Sequence, residues 1–293
     1  MKVVTHNGVF HADEVFAIAA LKEKHGRHLN LITDVVRTRG QQIIDEATYA
    51  VDVGGVDDPS NGWFDHHQPQ GAGCRENGIP YASFGLVWKE HGAEIAGSEP
   101  AAQHVDERLV QGIDAQDCGI DLCGGFVRPM TISHVISQYN PPWLVEQPNY
   151  DQAFQGALGL AQVVLRKAIL EAQADGVATT IVAQAVDKSD KLILELGRFC
   201  PWQQAVEDLC PTAVYVIFQD VGSGSWRIQA VPVQPGSMIS KKALPVYWRG
   251  LSGDELDSAV GFDGCVFCHR NGFIAGHLTR EGALAMAESA LLA

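Results

Sequence analysis

Four pieces of sequence decide the fold: KVVTHNGVFHADEVFAIAALKEKH at 2–25, NLITDVV at 30–36, QQIIDEA at 41–47 and YAVDV at 49–53. Lys2–Thr5 is a short apolar run that reads as a strand. Ala12–His25 then sets Val15, Phe16, Ile18, Ala19 and Leu21 on one helical stripe. Asn30–Val36 reads as a second strand, Gln41–Ala47 as a short helix and Tyr49–Val53 as a third strand. A β-α-β-α-β order predicts a parallel sheet with helices on its faces. In such sheets ligands gather at the carboxyl ends of the strands.

Residues 54–80 are rich in Gly, Pro, Asn and Asp and read as loop. Helical patterns return at Ala82–His91 and Ala101–Ile113, and 118–142 is irregular. Asn149–Asp187 reads as one or two long helices, with Phe154, Leu158, Ala161, Val164, Leu165 and Leu170 in register. Beyond Asp190 the period falls to two, giving strands at Val214–Phe218, Trp226–Val233, Gly264–His269 and Phe273–His277. The last two flank Arg270-Asn271-Gly272, a strong hairpin signal. Glu281–Leu292 reads as a closing helix. The expected fold is therefore α/β: a parallel-sheet domain over 1–145, a helical connector over 146–190, and a smaller α+β domain over 191–293 with a mainly antiparallel sheet.

The chain has 293 residues, 46% of them hydrophobic, which excludes a disordered or collagen-like protein. With 21 Lys+Arg against 35 Asp+Glu the net charge is −14, so the global basic footprint of a duplex-binding protein is missing. The charge is uneven. Residues 226–293 are neutral, and 226–253 hold Arg227, Lys241, Lys242 and Arg249 with no acid among them. No run approaches the roughly 20 uncharged apolar residues of a membrane helix, and the N-terminus has no signal-peptide character. Seven cysteines, an odd number, argue against a disulfide framework. A cytoplasmic protein without membrane contact is the expectation.

Three polar clusters stand where the early strands should end: His6, His11 and Asp13 after the first, Asp52 in the third, and Asp65-His66-His67 after Trp63-Phe64. Mixed imidazole and carboxylate donors suit Mn²⁺, Mg²⁺, Fe²⁺ or Zn²⁺. Their number exceeds the needs of one four-coordinate ion, which points to two ions sharing a carboxylate.

An aspartate-terminated strand followed by Asp65-His66-His67 resembles the DHH phosphoesterase superfamily, which includes RecJ-type exonucleases, oligoribonucleases and manganese pyrophosphatases. Longer strings are more specific. THNGVFHADEVFA at 5–17, VDVGGVDDPSNGWFDHHQ at 51–68, LPVYWRGL at 244–251 and GFIAGHLTREGALAMA at 272–287 resemble the melanocyte-proliferating-gene family of metal-dependent exonucleases. The resemblance runs from residue 3 to 287. It implies a DHH-type first domain with metal ligands at His6, His11 and Asp13, where the usual pattern has two aspartates in place of His11 and Asp13. It further implies Asp52 as the carboxylate bridging two ions and His66 as the direct ligand of its motif. Asp65 and His67 are left to orient neighbours or touch substrate. The fourth-motif aspartate falls on Asp114 or Asp117, with Asp114 preferred. Two Mn²⁺ ions, with Mg²⁺ as the alternative, are the implied cofactors.

The C-terminal domain of this family resembles a substrate clamp, which implies Gly272, Gly276 and His277 near the scissile phosphate across an interdomain cleft. Arg280, Lys241 and Lys242 are the accompanying cations. Gly admits backbone amides to an oxyanion, and His and Arg supply donors. Two features read as decoys. Cys265-Val-Phe-Cys268-His269 matches a haem-attachment pattern, but strand alternation sends Cys265 and Cys268 to opposite faces. Trp202, Trp226 and Trp248 could stack bases but read first as packing residues. The resulting expectation is a metal-dependent phosphoesterase, a 3′–5′ exonuclease on single-stranded RNA or short oligonucleotides. A small-molecule phosphoesterase and a non-catalytic metal-binding regulatory protein are the alternatives. The oligomeric state is left open, a homo-oligomer included.

Overall fold

In a computed structural model, residues 1–29 and 34–293 are described; positions 30–33 of the expected second strand lie outside the described residues. The chain divides into two compact units, Met1–Gln173 and Ala174–Ala293, and the division falls inside one 38-residue helix.

The first unit opens with β1 (Lys2–Thr5), α1 (Ala12–Leu29), β2 (Asp34–Arg37), α2 (Gln41–Asp45) and β3 (Tyr49–Val51). Two very short strands follow, β4 (Asp57–Asp58) and β5 (Trp63–Phe64). The sheet order is β2-β1-β3-β5-β4. β1 pairs in parallel with β2 and β3, and β3 with β5, while β4 runs antiparallel to β5. The sheet is thus mixed rather than purely parallel. Strands of two residues, one of them Asp57-Asp58, carry no legible period, so the antiparallel edge lay inside the stretch that reads as loop.

Helices cover this sheet: α3 (Ser83–Ala96), α4 (Glu99–Val105), a π-helical turn (Asp106–Val110), α5 (Gln111–Asp117), α6 (Ile132–Ser137) and the beginning of α7 (Tyr150–Asp187). The α1 sequence predicts a single apolar stripe, yet every residue from Val15 to Leu21 is fully buried. The helix packs against β3 and also against α3, α5 and α6, so it has no solvent face over those turns. By length and composition α7 is, among the described residues, the one helix that could cross a membrane, with a mean hydropathy of 1.2 over its most apolar window. The helix passes on mean hydropathy although charged residues such as Arg166, Lys167 and Glu171 interrupt it, so no long uncharged run marks it in the sequence. In this fold its Phe154, Leu158, Leu165 and Ile169 enter the core of the first unit.

The second unit holds β6 (Ile193–Leu196), α8 (Gln203–Leu209), β7 (Tyr215–Gln219), β8 (Trp226–Ala230), α9 (Gly253–Val260), β9 (Cys265–Cys268), β10 (Ile274–His277) and α10 (Arg280–Leu292). The order is β6-β7-β8-β10-β9, antiparallel throughout except for β6 with β7. Trp248 is buried on the α10 face with Tyr215 and Met286, and Trp202 on the other with Val182 and Phe218. Cys265 and Cys268 share one core rather than opposite faces. The β9–β10 register shifts between Gly276 and His277, so one extra residue on β9 reverses the alternation. Burial pushes both thiols up, to about 12 for Cys265 and about 11 for Cys268, which leaves them inert.

One close approach fixes how α5 lies on α3. Gly85 in α3 donates its backbone N–H to Asp114 Oδ1 at 3.0 Å, and a Cβ at Gly85 would overlap the Asp114 carboxylate. Ala in a helix gains about 0.5–1 kcal/mol over Gly, whereas overpacking costs typically 1–3 kcal/mol, so the clash wins. Gly85→Ala should therefore lower stability by roughly 1–2 kcal/mol on those figures. Thermal unfolding checks this, and a raised Tm would contradict the packing described.

Candidate metal centre

β1, β3 and β5 are neighbours in one parallel array, so the residues that leave their carboxyl ends meet at one edge. β1 delivers His6, β3 delivers Asp52, and β5 delivers Asp65, His66 and His67. The first turn of α1 adds Asp13 and Glu14, and the last turn of α5 adds Asp117. Together these residues surround a cavity of about 890 Å³ whose lining includes His6, His11, Asp13, Asp52, His66 and Asp117.

Asp52 sits at the middle of the cluster. Its Oδ2 is 3.3 Å from His6 Nε2, while its Oδ1 is 3.3 Å from both His66 Nε2 and His67 Nδ1. Ser83 Oγ donates to Oδ1 at 3.2 Å. Asp52 has a φ of +55°, a left-handed conformation that an L-residue adopts at a cost and that clusters at functional sites. The two oxygens of one carboxylate thus face two different sets of donors.

On one side His6 Nε2 is also 3.2 Å from Glu14 Oε1, and His6 Nδ1 is 3.1 Å from the Asn7 carbonyl. Glu14, not singled out by sequence reasoning, is fully buried and accepts the His11 backbone N–H through both oxygens, at 2.9 and 3.0 Å. That bond is one half of a capping box, which gives Glu14 a helix-starting role beside its place in the cluster. The signal available in the sequence was the adjacent pair Asp13-Glu14 directly ahead of an apolar run. On the other side His66 Nε2 lies 3.3 Å from Asp117 Oδ2 and 3.8 Å from Asp13 Oδ2. His6, His11, Glu14 and Asp52 form one group able to hold an ion, Asp52, His66 and His67 a second, and His11, Asp13 and Asp117 a third.

The donor set fits divalent cations. Both Asp13 oxygens are buried with no hydrogen-bond partner, and His66 Nε2, though close to three carboxylates, bonds to none in good geometry. Burial, and then the charges of Asp52, Glu14 and Asp117, push the Asp13 carboxyl well above its ordinary range. Burial pulls the His6 imidazole down, but Asp52 and Glu14 outweigh it and hold the ring up to about 10. His66 is raised in the same way, with Asp117 and Asp52 overcoming burial. All three shifts favour a proton where a cation would otherwise balance the carboxylates.

Asp65 has a different task. Gly55 and His67 donate their backbone N–H groups to it at 2.6 and 3.1 Å, and its Oδ1 holds His67 Nδ1 at 2.8 Å. It orients His67, whose side chain is 62% exposed. Asp114, the preferred fourth-motif residue, is not in the cluster. Its Oδ2 is 2.9 Å from Arg75 Nη2, its Oδ1 takes the Gly85 N–H, and burial, outweighing Arg75, pushes it up to about 7. One helical turn further, Asp117 occupies the place expected of Asp114.

The second unit, taken by itself, uses internally the residues expected to bind substrate. His277 is 3% exposed; its Nδ1 accepts the Thr279 N–H at 3.0 Å and its Nε2 lies 3.0 Å from the Asp263 carbonyl. Both ring nitrogens are thus taken by backbone, and Gly264 and Gly282 leave room for the ring itself. Arg280 Nε binds Glu195 at 2.6 Å, Lys241 reaches the Pro211 carbonyl at 2.7 Å and Glu207 at 3.3 Å, and Lys242 reaches the Leu291 carbonyl at 2.7 Å. Gly272 (φ +69°) packs on Arg249, and Gly276 admits Arg227 and Phe267. The structure makes these glycines and His277 packing elements of the β9–β10 hairpin.

Residues 2–291 match the family model MYG1_exonuc, described as "Uncharacterised protein family (UPF0160)". The chain is 33% identical over 324 residues to MYG1 protein C27H6.8 of Caenorhabditis elegans, covering 98% of this chain and 94% of that one. It is 32% identical over 326 residues to the MYG1 exonuclease of Homo sapiens, covering 99% and 85%. Against MYG1 protein C694.04c of Schizosaccharomyces pombe the identity is 31% over 323 residues, covering 99% and 97%.

Two outcomes follow from this geometry. A cation entering the cluster must displace the proton on His6, so Mn²⁺ affinity should rise with pH up to about 10, where His6 loses its proton in the metal-free protein. Titration calorimetry in two buffers of different ionisation enthalpy should register proton release near pH 7, and pH-independent binding with no release would contradict the cluster. For the second unit, His277→Ala removes a buried ring and its two backbone bonds. It should cost roughly 2–4 kcal/mol of stability, read as a fall in Tm, without changing the turnover of the folded fraction.

Proposed function

This chain belongs to the MYG1 exonuclease family, and from that premise we propose that it is a metal-dependent phosphodiesterase of the DHH type. Its substrate would be single-stranded RNA or a short oligonucleotide, shortened in the 3′–5′ direction. The observation that carries the reading is the Asp52 carboxylate, one oxygen turned to His6 and the other to His66 and His67. Two bound divalent cations, Mn²⁺ by preference or Mg²⁺, would supply an activated water and neutralise charge on the phosphate oxygens.

The chain's own residues would divide the remaining work. Asp52 would bridge, with Ser83 and the strained backbone fixing its plane. His6 and Glu14 would serve one ion, and His66 with the nearby Asp117 and Asp13 the other, while His11 belongs both to the group of His6 and Glu14 and to that of Asp13 and Asp117. With His67 Nδ1 committed to Asp65, Nε2 would take up or return a proton on the cavity side. Arg39, the one Lys or Arg among the cavity's lining residues, would hold a phosphate oxygen. The human relative's name, MYG1 exonuclease, supports the nuclease part of the reading.

End-labelled single-stranded RNA, a short oligonucleotide and a simple phosphomonoester, each with and without chelator, test this directly. The expected result is Mn²⁺-dependent release of mononucleotides from the 3′ end, and failure to cleave any ester would overturn the proposal. Asp52→Asn should abolish turnover, by at least about 10²-fold, with the fold intact. Asn tolerates a left-handed φ and keeps an oxygen for the Ser83 hydroxyl, so the side chain holds its place although the charge facing His6 and His66 is lost. Asp117→Asn should lower turnover less, since it serves one group only. Near-normal rates in Asp52→Asn would refute the bridge.

A further inference from the structure

Beside the metal cavity lies a second one of about 570 Å³, and the two share Gln116, Gly119, His134 and Ser137. Its walls come from residues 119–131, between α5 and α6, and from α6 itself. Its chemistry contrasts with that of its neighbour. The metal cavity is lined by Asp13, Asp52, Asp117 and imidazoles. The second is walled by Ile120, Leu122, Pro129 and Met130. Its two formally charged lining residues, Asp121 and Arg128, lie 3.8 Å apart and cancel. A second phosphate seated there would meet no net positive charge, and losing its hydration would go uncompensated.

A flat apolar group with polar edges is a better occupant. Ile120, Leu122 and Met130 are 41%, 47% and 62% exposed, which leaves apolar surface for a ligand, and Met adapts to aromatic faces. Polar groups stand at the shared wall. His134 Nδ1 is tied to Thr131, 3.3 Å from its backbone N and 2.8 Å from its Oγ1, which fixes the ring and leaves Nε2 as a polar atom for a ligand. Gln116 Oε1 accepts the Thr131 hydroxyl at 2.6 Å, which leaves its amide group as a donor. The volume falls within the roughly 300–1,000 Å³ of small-molecule sites.

We infer that this second cavity seats the base of the nucleotide whose phosphate lies at the metal centre. The inference rests on the phosphoester reading of that centre and deepens it. It commits the substrate to a nucleotide ester rather than a bare phosphate chain, because the place beside the metal centre offers apolar side chains and carries no net charge. It also assigns a function to the segment 119–131, whose exposed apolar side chains the core does not use.

Calorimetry on the full chain loaded with Mn²⁺, using adenosine 5′-monophosphate and the base-free ribose 5-phosphate as probes, tests this. The wild-type protein should bind the nucleotide at least about tenfold more tightly, the contribution of roughly one stacked base. Leu122→Asp and Met130→Asp alter exposed side chains, so the fold tolerates them. Each should bring the ratio close to one while ribose 5-phosphate affinity stays unchanged. Equal wild-type affinities, or a ratio that survives both substitutions, would overturn the base seat while leaving the metal-centre reading intact. If neither probe binds the loaded protein, the phosphoester reading falls and this inference falls with it.

Discussion

Asp13, Glu14, Asp52 and Asp117 are brought together at the edge where β1, β3 and β5 end, and the first three are almost wholly removed from water. Like charges in so small a volume cannot all stay ionised without compensation. In the metal-free chain this crowding pushes the Asp13 carboxyl and the His6 and His66 imidazoles toward their protonated forms. Divalent cations relieve it more fully, because each also finds ready-made imidazole and carboxylate donors. The N-terminus of α1 contributes as well, since its free N–H groups favour anions and it places Asp13 and Glu14 in its first turn.

Much of the first unit can be read as support for this cluster. Parallel order puts three strand ends side by side, so residues far apart in sequence meet without long loops. Asp65 spends its oxygens on Gly55 and His67 and thereby holds the chain after β5 in place. Arg75, Gly85 and Asp114 form a buried anchor between α3 and α5, and Asp117 stands one helical turn beyond it. Arg75 also grips Asp106 at the start of the π turn, so the helix carrying Asp117 is held at two points. A cavity-lining aspartate and a structural one thus share one short helix.

The distribution of charge changes meaning with the contacts known. The basic run 226–253 and Arg280 suggested a seat for a polyanion. In the structure Arg227 binds Asp220, Lys241 binds Glu207 and Arg280 binds Glu195. Cations already matched to neighbouring acids offer little net attraction to a nucleic acid. What the first unit offers instead is a carboxylate and imidazole cavity, one arginine on its lining, and an apolar cavity alongside.

The sequence by itself determined the α/β character of the first unit, the identity of its early elements, and most of the cluster. Strand-to-helix junctions are local, and a His or Asp directly after a strand end is legible wherever the apolar run stops. His6, Asp52 and His66 stand at or beside strand ends, and His11 and Asp13 stand in the junction that leads from β1 into α1, so all five could be named from the sequence. Sequence could not show the edge strands that run against their sheet's pattern, because β4, antiparallel to β5, has two residues and β6, parallel to β7, has four. Nor could it show that an extra residue in β9 puts Cys265 and Cys268 on one face. The choice between Asp114 and Asp117 belonged to tertiary structure, since both lie on one helix and only Arg75 and Gly85, some 30 residues upstream, decide which carboxylate is consumed. The same holds for Glu14, whose neighbours His6 and Asp52 arrive from two different strands. His277 follows the same logic, because a histidine's chemistry depends on whether its nitrogens are free, and backbone at Asp263 and Thr279 takes both.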